Sequence, residues 1–79
     1  MYFVYVLKSL KDGTSYTGQT NNVARRIAQH NKGQERTTRP HLPFEVVLAE
    51  SYATRVEARE REKYFKSGQG REYIKALLA

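Results

Sequence analysis

Tyr2-Phe3-Val4-Tyr5-Val6-Leu7, then Lys11-Asp12-Gly13, then Thr14-Ser15-Tyr16-Thr17-Gly18: the architecture follows from this stretch. Its first six residues are aromatic or branched without interruption. A continuous apolar run, unlike an alternating one, reads as a strand covered on both faces and central in its sheet. Asp12-Gly13 is turn chemistry, because glycine after aspartate readily takes positive φ. Thr14 to Thr17 then return as a second strand ending at Gly18, so the chain opens with a hairpin.

Working outward from the hairpin, Asn21 or Asn22 caps a helix running to about Asn31, and Gly33 supplies its stop. Lys32 to Pro43, with two prolines, reads as a long surface loop. Phe44-Glu45-Val46-Val47-Leu48-Ala49-Glu50 reads as a third strand. Thr54-Arg55-Val56-Glu57 is a capping box opening a helix to about Lys66, which stops at Gly68. Gly70 precedes a short terminal helix with Tyr73, Ile74, Leu77 and Leu78 spaced to pack inward. The expectation is one α+β domain over residues 1–79: a three-stranded antiparallel sheet flanked by about three helices.

Composition narrows the function. With 79 residues and 39% apolar content the core is small, and burial of roughly 60–65% of the unfolded surface is expected. A net charge of +6 makes a polyanion the first partner to consider. The absence of cysteine excludes disulfides, thiolate metal sites and cysteine nucleophiles, and fits a reducing, cytoplasmic setting. Tyr2 to Leu7 is too short to span a membrane.

Helical spacing sorts the polar residues. Val23 and Ile27 define the apolar stripe of the first helix; Arg26 lies about 60° from Val23, and Arg25 points nearly opposite. His30, four residues after Arg26, shares its edge, so the two can aim at one spot. The plainer alternative is a snorkelling arginine beside a solvated histidine. On the second helix Ala58, Arg61, Glu62 and Phe65 share a face, and Glu62 is the carboxylate directed inward. It either pairs with Lys66 or Arg59 or holds a cation, since an inward carboxylate is otherwise costly. Tyr5 and Tyr16 are each readable as core tyrosines.

Taken together these residues give the chain a resemblance to the GIY-YIG nuclease superfamily. It is similar to the small stand-alone bacterial members and to the N-terminal nuclease domain of the bacterial excinuclease. Phe3-Val4-Tyr5 stands at the first tripeptide and Tyr16-Thr17-Gly18 at the second. Asn22 to Asn31 looks like the arginine-bearing helix, Thr38-Arg39-Pro40 through Leu48 like the following loop and strand, and Glu57 to Lys63 like the glutamate helix. Phe3 replaces the first glycine, Thr17 replaces an apolar residue, and no asparagine follows Asn31.

The resemblance implies a metal-dependent endonuclease with Tyr5, Tyr16, Arg26, His30 and Glu62 as its catalytic set. Glu62 would hold one divalent cation, Mg²⁺ or Mn²⁺, with waters and phosphate oxygens completing its shell. Tyr5 would serve or position the general base, Tyr16 would hydrogen-bond in the same cluster, and Arg26 would hold the scissile phosphate. His30 would assist water activation or contact phosphate. DNA is the expected nucleic acid, with Arg25, Lys32, Arg36 and Arg39 following its backbone beside the site and a protein partner for targeting. The competing readings are a nucleic-acid-binding module with little turnover and an interaction domain whose charge is incidental.

Overall fold

The apolar run becomes the middle strand of a three-stranded antiparallel sheet in the computed structural model, which describes residues 1–78. Strand β1 (Tyr2–Ser9) pairs with β2 (Ser15–Thr20) on one side and β3 (Phe44–Tyr52) on the other. Helix α1 (Val23–Asn31) follows the hairpin, a 3₁₀ turn (Arg39–His41) precedes β3, and α2 (Arg55–Phe65) and α3 (Gly68–Leu78) close the described chain. Val4, Tyr5, Val6 and Leu7 are all buried, as a strand covered on both faces requires.

The turn is built from its own side chains. The Ser9 hydroxyl accepts N–H bonds from Lys11 (3.1 Å) and Asp12 (3.2 Å), the Asp12 carboxylate accepts the Thr14 N–H at 3.0 Å, and Gly13 takes φ +77°. Local signals also fix the helix starts. Asn22 accepts the Arg25 N–H (3.0 Å) as the cap of α1, and Thr54 accepts the Glu57 N–H (3.2 Å) as the cap of α2.

Register divides the core in two. Tyr5 opposes Gly18 and Leu7 opposes Tyr16, so these four residues share a face; Val4 opposite Gln19 and Val6 opposite Thr17 share the other. On the first face Tyr5, Leu7 and Phe44 pack with Tyr16, Ile27 and Leu42. On the second, Val4 and Val6 pack with Ala58, Phe65 and Ile74. Helix α1 therefore covers one face and α2 with α3 the other. A register shift between Val6 and Leu7 rephases β3, which lets Val47, Leu48 and Tyr52 join the second cluster after Phe44 has served the first.

Three expectations are revised. Strand β2 runs on past Gly18 to Thr20. Gly68 begins α3 rather than separating two helices, and Gly70 lies inside it, buried. A Cβ at Gly70 would overlap the Tyr64 carbonyl oxygen and stand 2.5 Å from the Phe65 Cα, so this glycine sets how closely α3 meets α2. Of the expected inward residues of α3, Ile74 is buried, whereas Tyr73 and Leu77 are 42% and 41% exposed. Leu78, as expected, packs against the same core as Ile74.

Candidate active site and the adjoining cleft

Strand β1 delivers Tyr5 to the centre of the α1-facing side. Its ring lies over Gly18, where a Cβ would overlap the Tyr5 hydroxyl and stand 2.6 Å from Cζ. A glycine directly opposite is thus the condition for the tyrosine's position. Tyr16 lies beside it with ring centroids 6.3 Å apart, and the His30 ring meets Tyr16 edge-on at 5.0 Å.

Helix α1 supplies the two groups that reach the Tyr5 hydroxyl. Arg26 Nε donates to the phenol oxygen at 3.4 Å, and His30 Nε2 lies 3.1 Å from it. The other nitrogen of His30, Nδ1, is 2.9 Å from Thr38 Oγ1. Thr38 has the Glu35 carbonyl oxygen at 3.5 Å as acceptor for its own proton. One tautomer satisfies the whole chain of contacts: Nδ1–H donates to Thr38, and the Nε2 lone pair accepts the Tyr5 proton. Arg26 is held on its far side by Glu35 (2.8 Å) and Gln29 (3.1 Å).

The charges follow from this environment. Burial, and after it the Arg26 charge, push His30 below its ordinary 6.5, so the ring is neutral in neutral solution. Burial raises the Tyr5 phenol above 10.0 against the opposing pull of Arg26. Burial works against the Arg26 charge, but the Tyr5 hydroxyl and the Glu35 carboxylate outweigh it and raise its pKa. The result is a protonated phenol between a fixed cation and an empty basic nitrogen. Such a hydroxyl can accept a proton from one side while passing its own to His30.

The sequence-derived candidates divide here. Tyr5, Tyr16, Arg26 and His30 come together. Glu62 lies on α2, the helix whose Ala58 and Phe65 pack on the other face of the sheet; its own carboxylate is half-buried and pairs with Lys66 Nζ at 3.1 Å. Among the described residues no group of three His, Cys, Asp or Glu is placed to hold a metal ion. Arg25 is exposed and donates to Asn21 (3.2 Å), while Lys32, Arg36 and Arg39 are exposed on the loop after α1, where Arg39 Nε donates to Gly33 O at 2.8 Å.

Glu35 and Thr38 were missed by the sequence reading, although both belong to the site. Thr38 is 2% exposed, in a segment read as a surface loop. The only signal was a pair of threonines in an otherwise charged stretch, which by itself selects nothing.

Beside the site, and sharing Arg26 with it, opens a polar cleft of about 400 Å³. Its walls are Arg25, Arg26 and Gln29 from α1, Arg55 and Arg59 from α2, and Tyr2, Gln19, Thr20 and Asn21 from the end of the hairpin. The Gln19 amide oxygen is buried without a hydrogen-bond partner among the described residues.

A small α+β domain with paired tyrosines on a hairpin and an arginine helix behind them defines a class, and the sequence comparison agrees with it. The GIY-YIG catalytic domain matches residues 1–74, and the chain belongs to that family. It is 42% identical over 66 residues to a UPF0213 protein of Bacillus licheniformis, covering 82% of this chain and 67% of that one. With the UPF0213 protein YazA of Bacillus subtilis the identity is 41% over 66 residues, covering 82% and 66%. The chain thus spans about two thirds of the length of these Bacillus relatives. The solution structure of a UPF0213 protein of Bacillus halodurans superimposes with a TM-score of 0.56 at 36% identity, covering 98% of this chain and 85% of that one. No described helix is long and apolar enough to cross a membrane.

Proposed function

We propose that this chain is a divalent-cation-dependent endonuclease that hydrolyses phosphodiester bonds, with DNA as its preferred substrate in the cytoplasm. The observation carrying this reading is the linked array Arg26–Tyr5–His30–Thr38 on a GIY-YIG scaffold. As the attacking water gives a proton to the Tyr5 oxygen, the Tyr5 proton passes to Nε2 of neutral His30. Arg26 binds a non-bridging phosphate oxygen once substrate displaces Glu35, and its charge stabilises the negative charge that develops there. Tyr16 walls the pocket and hydrogen-bonds the water or the phosphate.

Glu62 is the residue proposed to hold the cation. A half-buried carboxylate fits a small hard cation, which keeps several waters and takes substrate phosphate oxygens rather than needing an all-protein cage. The Lys66 pair is of a kind worth a few tenths of a kcal/mol and is readily exchanged. When bound, the cation supplies Lewis-acid charge to the phosphoryl oxygens.

The test incubates purified protein with labelled single-stranded, duplex and branched DNA and RNA, with Mg²⁺ or Mn²⁺. Tyr5→Phe and Glu62→Ala abolish cleavage, and Arg26→Ala lowers it by about 10²–10³. Wild-type rates in Tyr5→Phe overturn the proton path. A second reading, a binding module with little turnover, draws on the engagement of the Glu62 carboxylate by Lys66. It predicts tight binding with no cleavage in any of these reactions.

A further inference from the structure

The cleft shared by α1 and α2 carries four arginines and, among the described residues lining it, no carboxylate. The ion pairs of the described residues engage Arg26, His41, Arg61 and Lys66; Arg25, Arg55 and Arg59 take part in none. Three uncompensated guanidinium groups thus converge on one concave surface rather than scattering over the molecule. Two are positioned by neighbours: Arg25 donates to Asn21 at 3.2 Å, and Arg55 lies over the Tyr2 ring, 5.5 Å from its centroid. Asn21, Tyr2 and Thr20 at the hairpin end complete the lining between the two helices.

Arg26 belongs both to the cleft and to the tyrosine cluster. Anything that places a phosphate on Arg26 therefore extends directly into the cleft. Planar guanidinium groups at successive positions suit a ligand with regularly spaced phosphates. Lys32, Arg36 and Arg39 do not line it.

We propose that this cleft is the nucleic-acid backbone subsite: Arg25, Arg55 and Arg59 bind the sugar–phosphate chain flanking the phosphate held by Arg26. The assignment rests on the nuclease reading for the role of Arg26, but it is read out by binding alone. It gives α2 a task independent of Glu62, and it places the track on the α1–α2 side of the molecule rather than on the loop after α1.

The experiment measures fluorescence anisotropy of labelled DNA and RNA oligonucleotides, single-stranded and duplex, across a salt series in EDTA so that no cleavage intervenes. Arg55→Ala/Arg59→Ala weakens binding about equally across sequences. It also lowers the slope of log affinity against log salt by up to about 0.7–0.9 per lost phosphate contact. Arg55→Lys/Arg59→Lys restores most of the slope, and Lys32→Ala/Arg36→Ala/Arg39→Ala leaves it nearly unchanged. A larger loss with DNA than with RNA, or the reverse, supports the cleft as the track and identifies which backbone it accommodates. An unchanged slope in Arg55→Ala/Arg59→Ala, or a wild-type protein that binds no oligonucleotide, overturns the proposal. Binding through the cleft with no cleavage when cations are restored leaves the subsite standing and overturns the nuclease reading instead.

Discussion

At the scale of single residues, Thr38 sets the orientation of the ring that meets the Tyr5 hydroxyl. The buried His30 ring needs an acceptor for Nδ1–H, and Thr38 Oγ1 at 2.9 Å provides it. Thr38→Val leaves that donor buried and unpaired, at a cost of about 1–3 kcal/mol. It also frees the ring to take the other tautomer, which directs a proton rather than a lone pair at Tyr5. Nitrogen chemical shifts of His30 detect the exchange, and Thr38→Ser restores the original pattern. Unchanged shifts in Thr38→Val would show that another group fixes the ring. Helical spacing was enough to place Arg26 on the core edge and Arg25 outside it. It could not find Thr38, because the contact joins residues eight apart through a non-repeating segment.

At the scale of elements, α2 and α3 approach backbone to backbone at Gly70, beside side-chain contacts such as Phe65 on Tyr73 and Ile74. The atoms a Gly70 Cβ would strike, Tyr64 O and Phe65 Cα, are main-chain and cannot rotate away. Gly70→Ala must push α3 from α2, with a loss of about 1–3 kcal/mol or more. Gly68 has nothing within 4 Å of its Cβ direction, so Gly68→Ala is neutral or gains up to about 1 kcal/mol. Chemical denaturation of the two variants separates a contact from a mere helix preference; equal midpoints would remove the contact argument. The capping residues and strand runs are local signals, and they placed α1, α2 and β1 within a residue or two. Gly70 is legible as a glycine, but its reason is a neighbouring helix.

At the scale of the whole molecule, stability should depend on acid through groups buried or paired in the native state. His30 has its pKa depressed on folding, so below the unfolded value near 6.5 the unfolded chain binds more protons than the native one. Stability is full above that pH and declines as pH falls toward the native pKa. Glu50, held low by its hydrogen bond to Arg61, and Asp12, held low by His41, add the same sign in the carboxylate range. Thermal melts between pH 8 and 2 therefore show two declines, and His30→Gln removes the one that begins near 6.5. An identical profile in that variant would assign the decline elsewhere.

The hairpin, the central strand, the capped helices and the net positive charge are legible in the chain alone, because each is written in neighbouring residues through turn chemistry, periodicity or simple charge count. That Tyr5 and Tyr16 share a face, that Thr38 and Glu35 complete their surroundings, and that arginines from α1 and α2 enclose one cleft emerge on folding. Those outcomes depend on strand register and on helices packed against opposite sides of a sheet. Such pairings join positions distant in the chain, and no local pattern encodes which distant positions will meet.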